Sequence, residues 1–252
     1  MQLDHLVINT ALGMDAAASI FADLGFHLTP RGHHSLGSIN HLMMGPASYL
    51  ELVGVPATGK QRQEVLDSPI GLSGLVFRDG DAEATFARLT AAGFVPQEPV
   101  LLERPVMLDG AEHIARFHNV RMTAAEFPAG RVYFCQHLTP ELVWREEWLR
   151  HPNGFCGISQ MILHHSDPAK EAARYGALTG AALHKDGTDW RVGDGDFTLR
   201  IEAGAEAFAS ATLLFDDLRE IEARATAAPG SDWQDGVLRV PSLALTLHCR
   251  TA

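Results

Sequence analysis

The sequence predicts an α+β fold made of four β-α-β-β-β modules that pair into cupped mixed sheets. The first observation is an internal repeat, because LDHLVINTALGMDAAASIFADLGF (residues 3–26) aligns with LSGLVFRDGDAEATFARLTAAGF (residues 72–94). Each copy reads as a strand, a polar turn, an alanine-rich helix and a Gly-Phe pair. The second observation is that alternating or apolar runs of strand length follow each copy. Each unit is therefore a strand, a helix and three further strands.

The strands of the first two units follow from these runs. After the first Gly-Phe we expect strands at FHLTP, INHLMM and SYLELVGV, and after the second at FVPQEPV, HIARFHNVRM and RVYFCQHL. Such runs are short, rich in β-branched and aromatic residues, and bounded by turn residues. A sheet from one unit leaves one face uncovered by its helix. Two units side by side can therefore enclose a cavity.

Two weaker copies of the unit occupy the rest of the chain. The third begins at GISQMILHHSDPAKEAARYGALTG and continues through AALHK, WRVGD and FTLRIEAG, and the fourth begins at ASATLLFDDLREIEARATAA and ends in VLRV and LALTLHCR. Between the second and third copies, residues 141–154 read as a short helix that stops at a glycine. We therefore expect two halves of two modules each, residues 1–150 and residues 151–252.

Composition restricts the class of partner. The net charge of −11 over 252 residues argues against nucleic acid, which requires a basic face. No apolar run is long enough for a membrane helix, and the N-terminus lacks the basic region of a secretory signal. Three widely spaced cysteines suit a reducing compartment. We expect a cytoplasmic protein whose partner is a small molecule, and we leave a homodimer open.

The first predicted strand contains a polar residue where an apolar one is expected. Alternate residues of a strand share a face, so His5 should point the same way as Leu3 and Val7. By the same parity Glu51 should share the inner face of YLELVGV with its neighbours two positions away. An imidazole and a carboxylate are costly to bury unless they are paired or bound to a cation. They could hydrogen-bond to each other or bind a metal.

These stretches resemble the vicinal oxygen chelate superfamily, and within it the glyoxalase-like proteins. The resemblance is carried by LDHLV, LGF-x-LTP, HHSLGS-x-NHLMM and YLELVGV, and by FCQHLTPELVW and HPNG, over about residues 1–165. It implies metal ligands on the first and last strands of paired units, which are His5 and Glu51 here. It also implies a divalent cation (Fe, Mn, Ni, Co or Zn) and a proton-transfer role for Glu51.

The later units depart from this ligand pattern. Aligning the repeats places Gly74 opposite His5 and Cys135 opposite Glu51, while the second half offers Gln160 and Arg200 at these positions. A four-ligand site of the glyoxalase I kind is therefore incomplete.

A third ligand could come from the strand VYFCQHL. His137 shares a face with Cys135 and Tyr133, so it could complete a set of two histidines and one carboxylate with His5 and Glu51. Alternatively, His137 caps the turn that follows it, and Cys135 is an inert buried thiol.

Substrate contacts are expected in the loop RGHHSLGS and the strand after it. His34 and Asn40 match positions filled by His and Asn in the glyoxalase-like relatives, so they are candidate substrate-binding residues, together with Cys135 on the inner face. Two function classes remain. One is a metal-dependent lyase, isomerase or dioxygenase acting on a small oxygen-rich molecule. The other is a metal-free protein that binds or sequesters a small molecule in the same cavity.

Overall fold

The computed structural model describes residues 1–108 and 110–252. The first module comprises β1 (Leu3–Ala11), α1 (Met14–Asp23), β2 (Gly32–His33), β3 (Ile39–Met44) and β4 (Tyr49–Gly54). After the short helix α2 (Gln63–Asp67), the second module comprises β5 (Gly71–Asp79), α3 (Ala82–Ala91), β6 (Val100–Leu108), β7 (Ala111–Arg121) and β8 (Arg131–His137).

The second half repeats this plan after two 3₁₀ turns, Pro140–Leu142 and Glu146–Trp148. The third module comprises β9 (Phe155–His165), α4 (Pro168–Thr179), β10 (Leu183–Asp186), β11 (Asp189–Val192) and β12 (Thr198–Ala203). The fourth comprises β13 (Ala207–Phe215), α5 (Arg219–Ala227), β14 (Asp232–Gln234), β15 (Val237–Val240) and β16 (Leu245–Thr251), with a 3₁₀ turn at Pro241–Leu243.

The strands form two eight-stranded mixed sheets, ordered β2-β3-β4-β1-β5-β8-β7-β6 and β10-β11-β12-β9-β13-β16-β15-β14. In the first sheet, β1 and β5 pair antiparallel at the centre, and each pairs in parallel with the last strand of its own module. The edge strands β2 and β6 approach each other, which curls the sheet into a cup. The predicted fold class is confirmed.

The helix-facing sides of both sheets share one hydrophobic core. Phe26 of the first half packs on Phe155 and Phe215 of the second, with ring centroids 5.3 and 6.3 Å apart. Asn153, which is buried, donates to the Leu24 carbonyl at 3.0 Å. No helix in the described part of the chain combines the length and apolarity that crossing a membrane requires.

Three local predictions were wrong. FHLTP is not a strand, and β2 is only the Gly32–His33 pair; FVPQEPV forms one isolated bridge, from Pro96 to Met122, and the strand begins at Val100. The prolines in both segments lack the N–H that a ladder needs. Residues 141–154 hold 3₁₀ turns in place of the expected short helix.

The face assignment of β1 also needs a correction. Across β1 and β5, Leu3 pairs with Phe77 but His5 pairs with Val76, so Asp4 is an extra residue in the strand. This irregularity reverses the parity, as β-bulges do. Leu3 therefore lies in the helix-side core, and His5 shares the cup with Val7 but not with Leu3.

Candidate active site

The cup of the first sheet encloses a small cavity of about 70 Å³. The first module contributes His5, Tyr49 and Glu51, and the second contributes Arg104 and Tyr133. The volume is well below the ~300–1,000 Å³ of pockets for drug-sized ligands. The lining combines charged and polar side chains with apolar ones. A small molecule suits a cavity of this size.

Both ring nitrogens of His5 have defined neighbours. Nδ1 lies 2.6 Å from Oδ1 of Asp4, and Nε2 lies 3.0 Å from the Tyr133 hydroxyl. Nε2 is also 3.5 Å from Oε2 of Glu51. The ring stacks on Tyr49 at a centroid distance of 4.5 Å. Because Nδ1 donates to a carboxylate, Nε2 is the nitrogen whose lone pair faces the cavity.

Asp4 connects His5 to His137. Its carboxylate is fully buried and lies 3.1 Å from Nε2 of His137. Burial raises the pKa of Asp4, but hydrogen bonds from His137 and His5 outweigh burial and hold that pKa well below its usual range. His137 therefore binds Asp4 and not the following turn. Asp4 and His137 thus support His5 from its Nδ1 side, opposite the nitrogen that approaches Glu51.

Glu51 is held from its other side. Its Oε1 accepts a 2.7 Å hydrogen bond from the Asn40 amide, whose oxygen accepts one of 3.2 Å from Nη1 of Arg104. Gly32 permits this approach, because a Cβ there would lie 2.3 Å from Asn40 Oδ1. Burial raises the pKa of Glu51, but nearby His5 and His34 and the Asn40 hydrogen bond lower it on balance. Glu51 is ionised at neutral pH.

The other predicted substrate contacts lie at the same cavity. His34, half-buried as a residue, presents its ring to the cavity and bonds to Ser38 Oγ through Nδ1 at 2.8 Å. Burial lowers the pKa of His34 to about 4, so its ring is neutral at pH 7. Cys135 also lines the cavity, and burial raises the pKa of its thiol. The structure thus brings His34, Asn40 and Cys135 to one cavity with His5. Their role in substrate binding stays a prediction.

The ladder register corrects one equivalence between the modules. Val7 pairs with Glu51 in the first module, and Val76 pairs with Tyr133 in the second. Tyr133, rather than Cys135, therefore occupies the position of Glu51. Gly74 is the equivalent of His5, since each pairs across β1 and β5 with the valine of the other module.

Gly74 is required by packing. A Cβ at this position would lie 2.7 Å from Cγ2 and 2.8 Å from Cβ of Val7. In the second module, the position of His5 is therefore filled by a glycine, Gly74, and the position of Glu51 by a phenol, Tyr133.

The two ligand candidates from the first module, His5 and Glu51, are suited to binding a divalent cation. Nε2 of His5 and Oε2 of Glu51 converge, and the Asp4 carboxylate on Nδ1 is the usual outer partner of a metal-binding histidine. The Tyr133 hydroxyl, 3.0 Å from Nε2 of His5, offers a third oxygen.

His137 does not join the His5–Glu51 pair. Instead Asp4, Cys135 and His137 bring one possible ligand atom each to within 4.8 Å of one another. Because Asp4 already accepts from both histidines and Cys135 is a protonated thiol, this cluster is better suited to supporting His5 than to holding a metal.

Sequence reasoning missed Asp4 and Tyr133, and also Arg104 and Arg131, which both line the cavity. A signal existed for Arg104, which shares strand parity with Leu102, Val106 and Leu108 in LLERPVML, so a charge interrupts an otherwise apolar face. For Asp4 a similar interruption pointed to the wrong face, because regular alternation turns it toward the helices with Leu6 and Ile8. Only the irregular pairing of β1 with β5 brings it to the cup.

Comparison with solved structures shows the same fold in several proteins. A hypothetical protein from Staphylococcus aureus aligns with a TM-score of 0.72 at 13% identity, covering 100% of this chain and 99% of that one. A Mn(II)-bound glyoxalase from Novosphingobium aromaticivorans aligns with a TM-score of 0.62 at 11% identity, covering 99% and 81%. A mutant of 4-hydroxymandelate synthase from Streptomyces coelicolor gives 0.60 at 12% identity, covering 99% and 92%.

Among curated protein sequences, none matches this one. The family is identified by a match to a model of a protein family. Residues 3–179, well over half of the chain, match the family described as Glyoxalase-like domain, which confirms the resemblance to the vicinal oxygen chelate superfamily. The chain belongs to the glyoxalase-like domain family.

Proposed function

We propose that the chain is a divalent-metal-dependent enzyme that acts on a small oxygen-rich molecule in the cup of the first sheet, as a lyase, isomerase or dioxygenase. One observation carries the proposal: Nε2 of His5 and Oε2 of Glu51 lie 3.5 Å apart on the cavity wall, with Nδ1 of His5 fixed by Asp4. A buried imidazole and an ionised carboxylate that converge in this way form half of a metal site.

The metal would be held by His5 and Glu51, with the Tyr133 hydroxyl as a third oxygen. A bound divalent ion supplies Lewis acidity, which polarises oxygens of the substrate. The protein residues supply orientation. Asp4 fixes the tautomer and the ring plane of His5, and Asn40 fixes one oxygen of Glu51.

Proton transfer falls to Glu51 and Tyr133. Glu51 is ionised and can accept a proton from a substrate carbon or hydroxyl near it. Burial raises the pKa of Tyr133 well above its ordinary value, so its hydroxyl stays protonated and can donate to a substrate oxygen. His34 is neutral and contributes a hydrogen bond without a charge. These residues line one small cavity, where charges interact more strongly than in bulk water.

A metal-free binding protein is the second candidate. It is favoured by the second module, where Gly74 and Tyr133 replace the two ligands expected there. In that case the Tyr133 hydroxyl, 3.0 Å from Nε2, satisfies His5 directly. The cavity would then bind its ligand through hydrogen bonds alone.

Metal content and metal titration separate the two candidates. Elemental analysis of protein purified without added metal, followed by calorimetric titration with Mn, Fe, Co, Ni and Zn, should show one site. His5→Ala and Glu51→Gln should each abolish it while cooperative unfolding persists. His164→Ala is the matched control, because His164 and Glu202 form a similar pair at 3.7 Å in the second half. If the wild-type protein binds none of these metals at micromolar concentration, the metal-free candidate replaces the enzyme.

A further inference from the structure

Two arginines line the cavity without a carboxylate in direct contact. Arg104 is only 3% exposed, and its hydrogen bond within the described chain goes to the neutral Asn40 amide. Arg131 donates to the Ser73 hydroxyl at 3.2 Å. Within residues 1–108 and 110–252, neither guanidinium has a carboxylate within 4.0 Å. Arg131 is half-buried, whereas Arg104 is held away from water, where a guanidinium without an anion in contact is costly.

Unsatisfied polar atoms collect around the same cavity. Four residues that line it have a buried side-chain atom without a hydrogen-bond partner in the described part of the chain: Arg104, Asn119, Arg121 and Arg131. In three of them the atom is the guanidinium Nε, which can only donate. Buried polar groups are normally satisfied, so a group of orphaned donors around one cavity indicates an absent acceptor.

The glutamates at the cavity act on Arg104 and Arg131 only at longer range, and none of them is in direct contact with either arginine. Glu64 is shared by Arg62 and Arg121, the latter at 3.6 Å, and Glu103 pairs with Arg116 of β7 at 2.9 Å. The remaining carboxylate, Glu51, is held by His5 and Asn40, as described above.

We propose that Arg104 and Arg131 bind the anionic group of the cavity's ligand, so that the substrate is a small organic anion carrying a carboxylate or a phosphate. Guanidinium groups bind both through charge-assisted hydrogen bonds, often bidentate. The two arginines come from different strands of the second module, β6 and β8, and face the His5–Glu51 wall of the first. The anion is thus held by one module while the other acts on it. This inference gives the substrate class of the proposed enzyme. It depends on the proposed function only for the reaction, because the arginines can bind an anion without a metal.

Replacing Arg104 should affect ligand binding and the stability of the fold differently. A buried cation without an anion in contact carries a desolvation penalty, and for Arg104 this penalty offsets its one hydrogen bond to Asn40, so replacing it with an apolar side chain of similar length should be neutral or stabilising. Arg104→Met should therefore unfold at the same temperature as the wild type or above it when no ligand is present. If Arg104 were a structural residue, the same substitution would lower the unfolding temperature.

The test measures anion binding before and after metal removal. Calorimetry with pyruvate, its neutral amide and inorganic phosphate would be run on wild-type protein, as purified and after chelation. Arg104→Met, Arg131→Met and Arg131→Lys are the variants. Arg219→Met, in the second half with its side chain 89% exposed, is the control. Pyruvate or phosphate should bind and the amide should not, and whichever anion binds names the charged group.

Each outcome decides the point. Loss of one charge-assisted hydrogen bond should weaken anion binding by at least about tenfold in either Met variant. Arg131→Lys should retain more anion affinity than Arg131→Met, and the Arg219→Met control should bind the anion as the wild type does. Anion binding that survives in chelated protein supports the inference even if no metal site exists. A protein that binds a metal but neither anion at millimolar concentration overturns the inference and leaves the proposed enzyme standing. Equal binding of pyruvate and its amide also overturns it.

Discussion

Asp4 is the residue whose removal should disturb the site most, and Asp4→Asn is the sharpest change. The substitution keeps the volume of the side chain but removes its charge and turns one acceptor oxygen into a donor. Oδ1 lies 2.6 Å from Nδ1 of His5, and Oδ2 lies 3.1 Å from His137 and 3.3 Å from Nε of Arg78. Whichever way the amide turns, its NH₂ group faces a nitrogen that donates in the wild type.

The expected loss is large because the carboxylate is fully buried. Breaking a buried, hydrogen-bonded charge network by removing one partner costs about 3–5 kcal/mol. In a chain of this size each kcal/mol lowers the unfolding temperature by about 2–4 °C, so Asp4→Asn should unfold roughly 6–20 °C below the wild type. Asp15→Asn, whose side chain is 87% exposed, is the control and should change the free energy of unfolding by less than about 1 kcal/mol.

The effect should depend on pH with a defined sign. Because the folded pKa of Asp4 is lowered, its carboxylate contributes stability above its unfolded pKa of about 4, and that contribution fades as the pH falls below this value. His5, His137 and Arg78 are the charged or titratable groups that face it. Urea denaturation should therefore show that the free energies of unfolding of the wild type and the variant differ less near pH 3 than at pH 7. An Asp4→Asn protein as stable as the wild type at pH 7 would refute the network.

Three further substitutions test other parts of the structure by urea denaturation at pH 7. Gly74→Ala should lose about 1–3 kcal/mol of unfolding free energy, because its Cβ would press on Val7; no loss would mean that β1 can yield there. Tyr133→Phe should lose about 0.5–1.5 kcal/mol with the hydroxyl contact to His5, and an unchanged midpoint would argue against that contact. Asn153→Ala removes two hydrogen bonds and should lose about 1–3 kcal/mol of unfolding free energy; an unchanged midpoint would argue against both bonds.

The repeat made the architecture predictable from the sequence. Periodicity located the first strand and helix of every module, because apolar positions at helical or strand spacing report burial directly. The strands that were misplaced contain prolines, where an apolar run does not imply ladder hydrogen bonds. Pro96 lies in such a run and forms one bridge only.

The site was predictable only where strand alternation is regular. Glu51 lies on regular β4, so its parity and its place in the cup followed from the sequence. Asp4 and the equivalence of Tyr133 with Glu51 did not, because both depend on how β1, β5 and β8 register, and that register is set by tertiary packing. Arg104 could be suspected from the charge on an otherwise apolar strand face, but its contact with Asn40 of the other module could not.

The location of a bound metal tests the central claim most directly. Crystals of the protein grown with Mn(II), with anomalous diffraction measured to locate the ion, would show whether it lies between Nε2 of His5 and Oε2 of Glu51. The proposed site predicts a single anomalous peak there, in a shell of one imidazole nitrogen and oxygens. A peak among Asp4, Cys135 and His137, or none in the first-sheet cup, would contradict it.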